Sequence, residues 1–528
     1  MSAKVDPWGL LNNVLGSPPV SATHAGKAPG RRPKAMRSMS TVAGILALAA
    51  ASAMASMPVY AQTGHAPDIY TLHGSRNIEF AGGPGELAAA AKPSIAGVVD
   101  LARAWRRALE HDHAYRAAIS EQAAAQTERS QGRAGLLPQV QAGYSRSQVN
   151  GTVGQPNFRG NRITSDVKYD SANAYVQLQQ PLLNYGRYAD YRRGGARANQ
   201  GAAVFAVKQQ ETGIRLARAY FNALLAYDDV QLQRSLTDSL KGQAQELERR
   251  YERNEGTRTD VQETKARLAV ARANVIDAED QLNIASRELE ALLGAPVDRI
   301  AGLDPSFGLL SLVPAGLDAW LERALVNNAD VRAAREAVNV ARAEVDRANA
   351  RYLPTMELVA SYGNADSENL STLSQRSNTF VIGIQVNIPI FTGGYNTANV
   401  SRARLDQRRL EQELRAAQER MQAEVTRQYT NVMGGGERIR ALETAVESGQ
   451  LSLDSARKSA LYGASSNLDV LKVQDLLYKS RYELIKAKLE YLLARLQLAS
   501  AAGDLHAGQF EELSNAYLEQ DVSLNPVH

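Results

Sequence analysis

Apolar positions along this chain follow two periods in turn, and the whole succession occurs twice. From about residue 95 to 135 they recur at helical spacing, until Pro138 ends the pattern. The period then becomes two. Val140, Ala142 and Tyr144 alternate with Gln139, Gln141, Gly143 and Ser145, and Ala174, Val176 and Leu178 alternate with Tyr175, Gln177 and Gln179. Helical spacing resumes from about Arg187 to Asn254, a length of about 100 Å at 1.5 Å per residue, and returns over 260–293. The second half repeats this order. A helix over about 328–352 precedes Met356, Leu358, Ala360 and Tyr362, which alternate with Glu357, Val359 and Ser361. Phe380, Ile382, Ile384, Val386 and Ile388 then alternate with Val381, Gly383, Gln385 and Asn387. A second long helix spans about Asn396 to Tyr462, with Gly434-Gly435-Gly436 a candidate interruption, and a return helix covers 469–502.

The repetition is exact to the residue within the return helices. Val261, Leu268, Val275, Leu282 and Leu289 form one apolar heptad series, and Val470, Leu477, Leu484, Tyr491 and Leu498 form another, each member offset by 209 residues. The same offset joins Gly294 to Gly503. Internal duplication at this length sets the architecture. The companion positions are mostly small: Thr264, Ala271, Ala278 and Ala285, then Val473, Ser480, Ala487 and Ala494. Small residues let helix axes approach closely, as in a dense wall of helices, although a spacing of seven is equally that of a solid coiled coil.

Each period-two run is about ten residues, the length a tilted strand needs to cross a bilayer. Its apolar face would meet lipid and its polar face water. A half-buried strand of a soluble sheet has the same period, so one run alone does not decide. Residues 149–170 and 364–378 are polar and suit loops joining two hairpins. Pro181 and Pro389 are expected to end the returning strands. Each is followed by a glycine-bearing turn, Leu182 to Gly186 and Ile390 to Gly394. Four strands cannot close a barrel, since the smallest outer-membrane barrels have eight, and an open sheet in lipid leaves unpaired backbone at its edges. Several copies must share one barrel. Two would give eight strands and three would give twelve; helices of this length, continued as a hollow tube, favour three.

The chain therefore divides into an N-terminal extension and signal peptide (1–61), a flexible segment (62–94), a first repeat (95–294), a linker (295–327), a second repeat (328–503) and a tail (504–528). Expected strands lie at about 139–148, 172–180, 355–363 and 379–388. The signal reading rests on Arg37, the apolar stretch Val42 to Ala51 and the small-x-small site Val59-Tyr60-Ala61, with Gln62 as first mature residue and Met36 as an alternative start. The formal net charge of +4 is partly a product of this segment. Lys4, Lys27, Arg31, Arg32, Lys34 and Arg37 against Asp6 sum to +5, leaving −1 for the rest, so the basic balance is no case for nucleic acid. Cysteine is absent, which excludes disulfides, thiolate metal sites, a cysteine nucleophile and a lipid anchor on an N-terminal Cys.

Leu137-Pro138 and Leu353-Pro354 at the strand starts, the turns after Pro181 and Pro389, Phe391-Thr392-Gly393-Gly394, and Gly256-x-x-x-Asp260-Val261 together resemble the TolC family of outer-membrane efflux and type I secretion channels. The resemblance spans about residues 95 to 505. It implies a homotrimer, with a twelve-stranded outer-membrane barrel continued by an α-helical tunnel across the periplasm. It also implies partners: outer-membrane lipid, a periplasmic adaptor protein, and an inner-membrane ABC exporter or proton-driven pump. In the family, acidic residues near the far tip line a constricted entrance. Carried over, these are Asp260, beside Thr259, and Asp469. A further acidic position is Lys472 here, so the gate is expected to be less cation-selective. A family arginine in the second-half turn is replaced by Ser465, while Arg258 lies in the first-half turn. Gly256, Thr257, Arg258, Gly463, Ala464 and Ser465 are the expected adaptor contacts. Asp260 and Asp469 also suit the plainer role of capping their helices.

No nucleotide loop or nucleophile constellation appears, and His111 with His113, the one close histidine pair, gives too few ligands for a metal site. Neither enzyme nor cofactor is expected. The leading expectation is the outer-membrane duct of a type I protein secretion system, passing unfolded polypeptide such as a toxin. The alternatives are the duct of a tripartite drug-efflux pump and a solid periplasmic scaffold, against which four alternating runs argue.

Overall fold

A computed structural model describes residues 95, 97–156, 158–367, 375–462 and 464–524. The expected signal peptide and flexible N-terminus lie outside the described residues, as does Gly463 of the expected tip. Two long helices organise the rest: α3 (Tyr185–Glu252, 68 residues) and α7 (Tyr395–Leu461, 67 residues). Each is flanked by two shorter helices placed one after the other along its length. Beside α3 lie α2 (His113–Ala134) and α4 (Arg258–Leu293); beside α7 lie α6 (Ala329–Ala350) and α8 (Asn467–Ala501). α3 also packs on α6 and α8, which joins the two repeats side by side.

Polar side chains set where helices start and stop. The pattern predicts one helix over 95–135, but Asp112 divides it into α1 (Leu101–His111) and α2. Its carboxylate accepts from the Ala114 N–H at 3.0 Å and pairs with Arg215. Asn328 performs the same division between α5 (Leu317–Asn327) and α6. It accepts from the Val331 N–H at 2.9 Å and donates to the Ala501 carbonyl at 2.8 Å. The return helices stop against these joints. Gly294 (φ 73°) abuts His111, and Gly503 (φ 75°) leaves so little room that a Cβ there would lie 2.2 Å from the Asn327 carbonyl oxygen. Both need glycine for conformation and for space.

The candidate interruption at Gly434-Gly435-Gly436 does not materialise: α7 is continuous. The segments 295–327 and 504–524 also hold more regular structure than their composition suggests. β3 (Arg299–Leu303) pairs antiparallel with β6 (Leu518–Ser523), and α5 and α9 (Ala507–Tyr517) accompany them. Their alternation spans too few residues to register as a period. These elements close the main core around α3, α4, α7 and α8. There Trp105 stacks on Phe510 with ring centroids 4.8 Å apart. The fully buried Tyr220 hydroxyl, placed between two carbonyls, lies 3.0 Å from that of Val99 and 2.7 Å from that of Ala301.

Burial also acts on one carboxyl of α3. It pushes Asp228 up to about 6. An acid so raised disfavours the folded state wherever it is ionised. The penalty is absent below about pH 4, grows between about 4 and 6, and is full above, where it amounts to about 3 kcal/mol. Asp228→Asn is therefore expected to raise the unfolding free energy by about 2–3 kcal/mol at pH 7.5 and to change it little at pH 4, as read by thermal unfolding at the two pH values.

The four remaining strands form one antiparallel sheet in the order β1-β2-β4-β5: β1 (Gln139–Pro156), β2 (Arg162–Leu183), β4 (Thr355–Ser367) and β5 (Gln375–Asn387). All four exceed their expected lengths. Much of the loop expected at 149–170 is strand, part of that at 364–378 is strand, and β2 runs past Pro181 through a bulge to Leu183. Alternation marks a strand only where its two faces meet different surroundings. Beyond Ser171 the β1–β2 pair continues for nine rungs, to Pro156 opposite Arg162, with exposed residues on both faces and hence no such signal.

Candidate functional site

Two surfaces hold the candidate residues: the sheet, and the turns at the far end of the long helices. In the sheet, register sorts side chains into rungs. Val140, Leu178, Ala360 and Ile382 align on one face, with Ala142, Val176, Tyr362 and Phe380 on the next rung of that face. Gln141, Gln177, Ser361 and Val381 align on the other. There the Gln141 amide donates to Gln177 at 3.4 Å and Gln179 donates to Glu357 at 2.5 Å. Much of the apolar face is open, although Ala360 near its centre is buried. Ile382 is 63 % exposed, and Ile384, Val386 and Val140 are similarly open. At the foot of the strands Ile390, Phe391 and Tyr395 are exposed too. β1 and β5 are the two sheet edges, and each is paired on one side only. No described helix is long and apolar enough to cross a membrane.

At the other end, the two expected carboxylates sit in matching positions, though not as the caps themselves. Thr257 caps α4: it accepts from the Asp260 N–H at 3.1 Å and donates its hydroxyl to the Asp260 carboxylate at 2.6 Å. Ser466 caps α8 and holds Asp469 in a reciprocal box. The Asp469 N–H lies 3.2 Å from Ser466 Oγ, and the Asp469 carboxylate accepts from the Ser466 hydroxyl at 2.6 Å and its N–H at 3.2 Å. The Ser466 hydroxyl, followed by its N–H, holds the Asp469 carboxyl below the usual carboxylate range, and nearby Lys472 pulls the same way. Stabilisation from such a depressed acid is complete above its ordinary range and disappears as pH falls through the lowered value. Asp469 is thus ionised throughout pH 5–8.

Thr259, Arg258, Ala464 and Lys472 are exposed, while Gly256 and Ser465 are half-buried. Gly256, Ala464 and Ser465 lie in the α3–α4 and α7–α8 turns, Arg258 and Thr259 begin α4, and Lys472 lies within α8. Two tyrosines beside them went unread in the sequence: Tyr462, 88 % exposed, and Tyr251, 46 % exposed. Their occurrence beside the glycine-bearing turn of both repeats was the available signal.

The contacts between the hairpins differ from those within them. The second hairpin is closed by apolar residues, Leu453 of α7 with Val470 and Leu477 of α8. Between hairpins the seam is polar. The Asn467 amide donates to Thr264 at 3.0 Å, and Thr264 donates to the Asp260 carbonyl at 2.9 Å. Gln243 bonds to Gln474 at 2.6 Å, Arg267 to Asp475 at 2.5 Å, Arg457 to Ser239 at 3.0 Å, and Ser235 to Tyr478 at 3.1 Å. Gln474 and Thr264 are wholly buried, and the Gln474 Nε2 and Gln243 Oε1 atoms have no partner. Leu471, also wholly buried, crosses this seam into a cluster with Leu240, Ala244, Leu268 and Ala271. The hydrogen bonds of this joint lose little on meeting water, so its single large apolar plug supplies most of the hold, as the apolar zipper does within the second hairpin.

Residues 104–295 and 320–504 match the family described as Outer membrane efflux protein. The chain is 37 % identical over 409 residues to the alkaline protease secretion protein AprF of Pseudomonas aeruginosa, covering 77 % of this chain and 85 % of that one. It is 33 % identical over 425 residues to the proteases secretion protein PrtF of Dickeya chrysanthemi, covering 79 % and 91 %. The Campylobacter jejuni CmeC outer membrane channel shares the fold, with a TM-score of 0.66 at 16 % identity over 79 % of this chain and 89 % of that one.

Proposed function

Because this chain belongs to the outer membrane efflux protein family, we propose that it is the outer-membrane channel of a type I secretion system, exporting polypeptide made in the cytoplasm. The observation that carries this reading is the likeness to two protease secretion proteins across more than three quarters of the chain. The largely open apolar rungs support an outer-membrane sheet. Its two half-paired edges support closure by sister subunits, three of which supply twelve strands, since lipid does not tolerate unpaired backbone. The helices then line a periplasmic passage whose far turns meet an adaptor and an inner-membrane ABC exporter. Gly256, Thr257, Arg258, Gly463, Ala464 and Ser465 form the docking surface, with Tyr462 as an aromatic anchor.

Deleting the gene is expected to abolish appearance of the exported protein in the medium, and a plasmid copy to restore it. Undiminished export, with increased drug sensitivity instead, would overturn the secretion reading in favour of efflux.

Asp260 and Asp469 form the entrance, with Thr259 beside them and Lys472 offsetting their charge. Asp469→Ala is expected to lower cation preference or change conductance in planar bilayers at pH 5 and pH 8 alike, with the trimer intact. Currents unchanged in that variant and in Asp260→Ala would remove these residues from the gate.

A further inference from the structure

Three consecutive glycines in the middle of a 67-residue helix are unfavourable, because each gives the unfolded chain more freedom to lose than alanine does. Packing explains some other helical glycines of this chain, although Gly195 and Gly242 of α3 are single glycines with open space around them. A Cβ on Gly194 would lie 2.3 Å from the Glu128 carbonyl oxygen, and one on Gly201 would lie 2.3 Å from Ala125 Cβ, so α2 and α3 approach closely because those positions are bare. Nothing comparable holds for the run in α7. A Cβ on Gly434 would meet nothing within 4 Å, one on Gly435 would lie 3.4 Å from the Tyr491 ring, and one on Gly436 would lie 3.5 Å from Leu309. All three positions have room for alanine, and none has a positive φ.

The surroundings give the run a mechanical setting. The strand-free segment after β3 is fastened to the helices at this level. Its Ala315 carbonyl accepts from the Tyr429 hydroxyl at 2.7 Å, and its Leu310 carbonyl accepts from Arg495 at 2.7 Å and from the Tyr491 hydroxyl at 3.1 Å. Above the run, Met421, Val425 and Val432 belong to the main core; below it only Ile439 does so among the buried residues of α7, and Leu453 joins the separate hairpin cluster. A groove of about 390 Å³ opens between α7 and α8 here, bordered by Gly434, Gly435, Glu490 and Tyr491.

We propose that Gly434-Gly435-Gly436 is a pivot in α7: the helix above it is held by the strap and the core, and the α7–α8 hairpin below it swings to open the tip. This rests on the reading of the tip as the gated end. From Gly436 to the turn is about 25 residues, a lever of about 38 Å, so a bend of about 15° displaces the tip by about 10 Å.

The test uses the full-length trimer in detergent and in bilayers, comparing the wild type with the triple variant G434A/G435A/G436A. Backbone amide exchange over residues 430–440 is expected to be faster in the wild type than in the adjoining turns of α7, and about ten- to hundredfold slower in the variant. Openings in bilayers are expected to become several-fold rarer. Exchange that is uniform along α7 and unaltered by the alanines overturns the pivot, whatever the gate proves to be. Slower exchange with unchanged openings overturns its coupling to the tip. Loss of the trimer overturns it too, by making the bare surface a contact between copies. Exchange is read independently of current, so failure of the gate reading itself, silent Asp260→Ala and Asp469→Ala variants, is told apart from failure of the pivot.

Discussion

Ile382→Arg is expected to prevent assembly in the outer membrane, while Val381→Arg, one residue earlier on the same strand, is expected to be tolerated. Ile382 belongs to the apolar rung with Val140, Leu178 and Ala360, and Val381 to the polar rung with Gln141, Gln177 and Ser361. Both are similarly exposed in the single chain, 63 % and 56 %, so exposure alone does not separate them. Lipid does. An arginine facing the bilayer midplane costs about 2–4 kcal/mol, and in the proposed trimer three copies multiply that cost, whereas an arginine on the proposed lumen side keeps its water. The readout is the amount of heat-resistant trimer in outer-membrane fractions. Equal assembly of the two variants would mean that the sheet does not divide lipid from water.

The second large effect is expected at the seam between hairpins. Leu471 is wholly buried among Leu240, Ala244, Leu268 and Ala271, and truncating such a leucine costs about 2–5 kcal/mol. The remaining ties across that seam are hydrogen bonds that water replaces at little net loss. Leu471→Ala is therefore expected to part the hairpins near the tip: higher resting conductance, and sensitivity of cells to a large hydrophilic antibiotic, with the trimer preserved. Leu477→Ala removes equal bulk from inside the α7–α8 hairpin and is expected to lower the melting temperature without that leak. A leucine-471 variant that stays as tight as the wild type, its trimer intact, would show that the seam does not hold the channel shut.

The duplicated helix–strand–strand–helix order was legible because each element has two unlike faces. Val261, Leu268, Leu282 and Leu289 are buried as their spacing requires, and so are the small companions Thr264, Ala271, Ala278 and Ala285. Strand ends were lost where that asymmetry stops, as in the continuation of β1 past Gln148. Glycine content was misleading at Gly434 to Gly436, where the helix continues through a run whose intrinsic preference is against it. At the tip, Asp260 and Asp469 stood out by repetition, but their partners did not. Thr257 and Ser466 had to be seen as caps before the carboxylates could be placed at the third helical position. Asn467, Gln474 and Asp475 were hidden more deeply: their partners Thr264, Gln243 and Arg267 lie over 200 residues away, and such side chains look alike on a wet surface and in a polar seam.

The nine extra rungs of the β1–β2 hairpin have a consequence of another kind. At about 3.3 Å per residue they carry the Phe158–Gly160 bend about 30 Å past the last described pairing of β2 with β4, with Phe158 fully exposed. If the helices point into the cell envelope, that bend points away from it, and an antibody arriving from the surrounding medium would meet it before meeting any lipid.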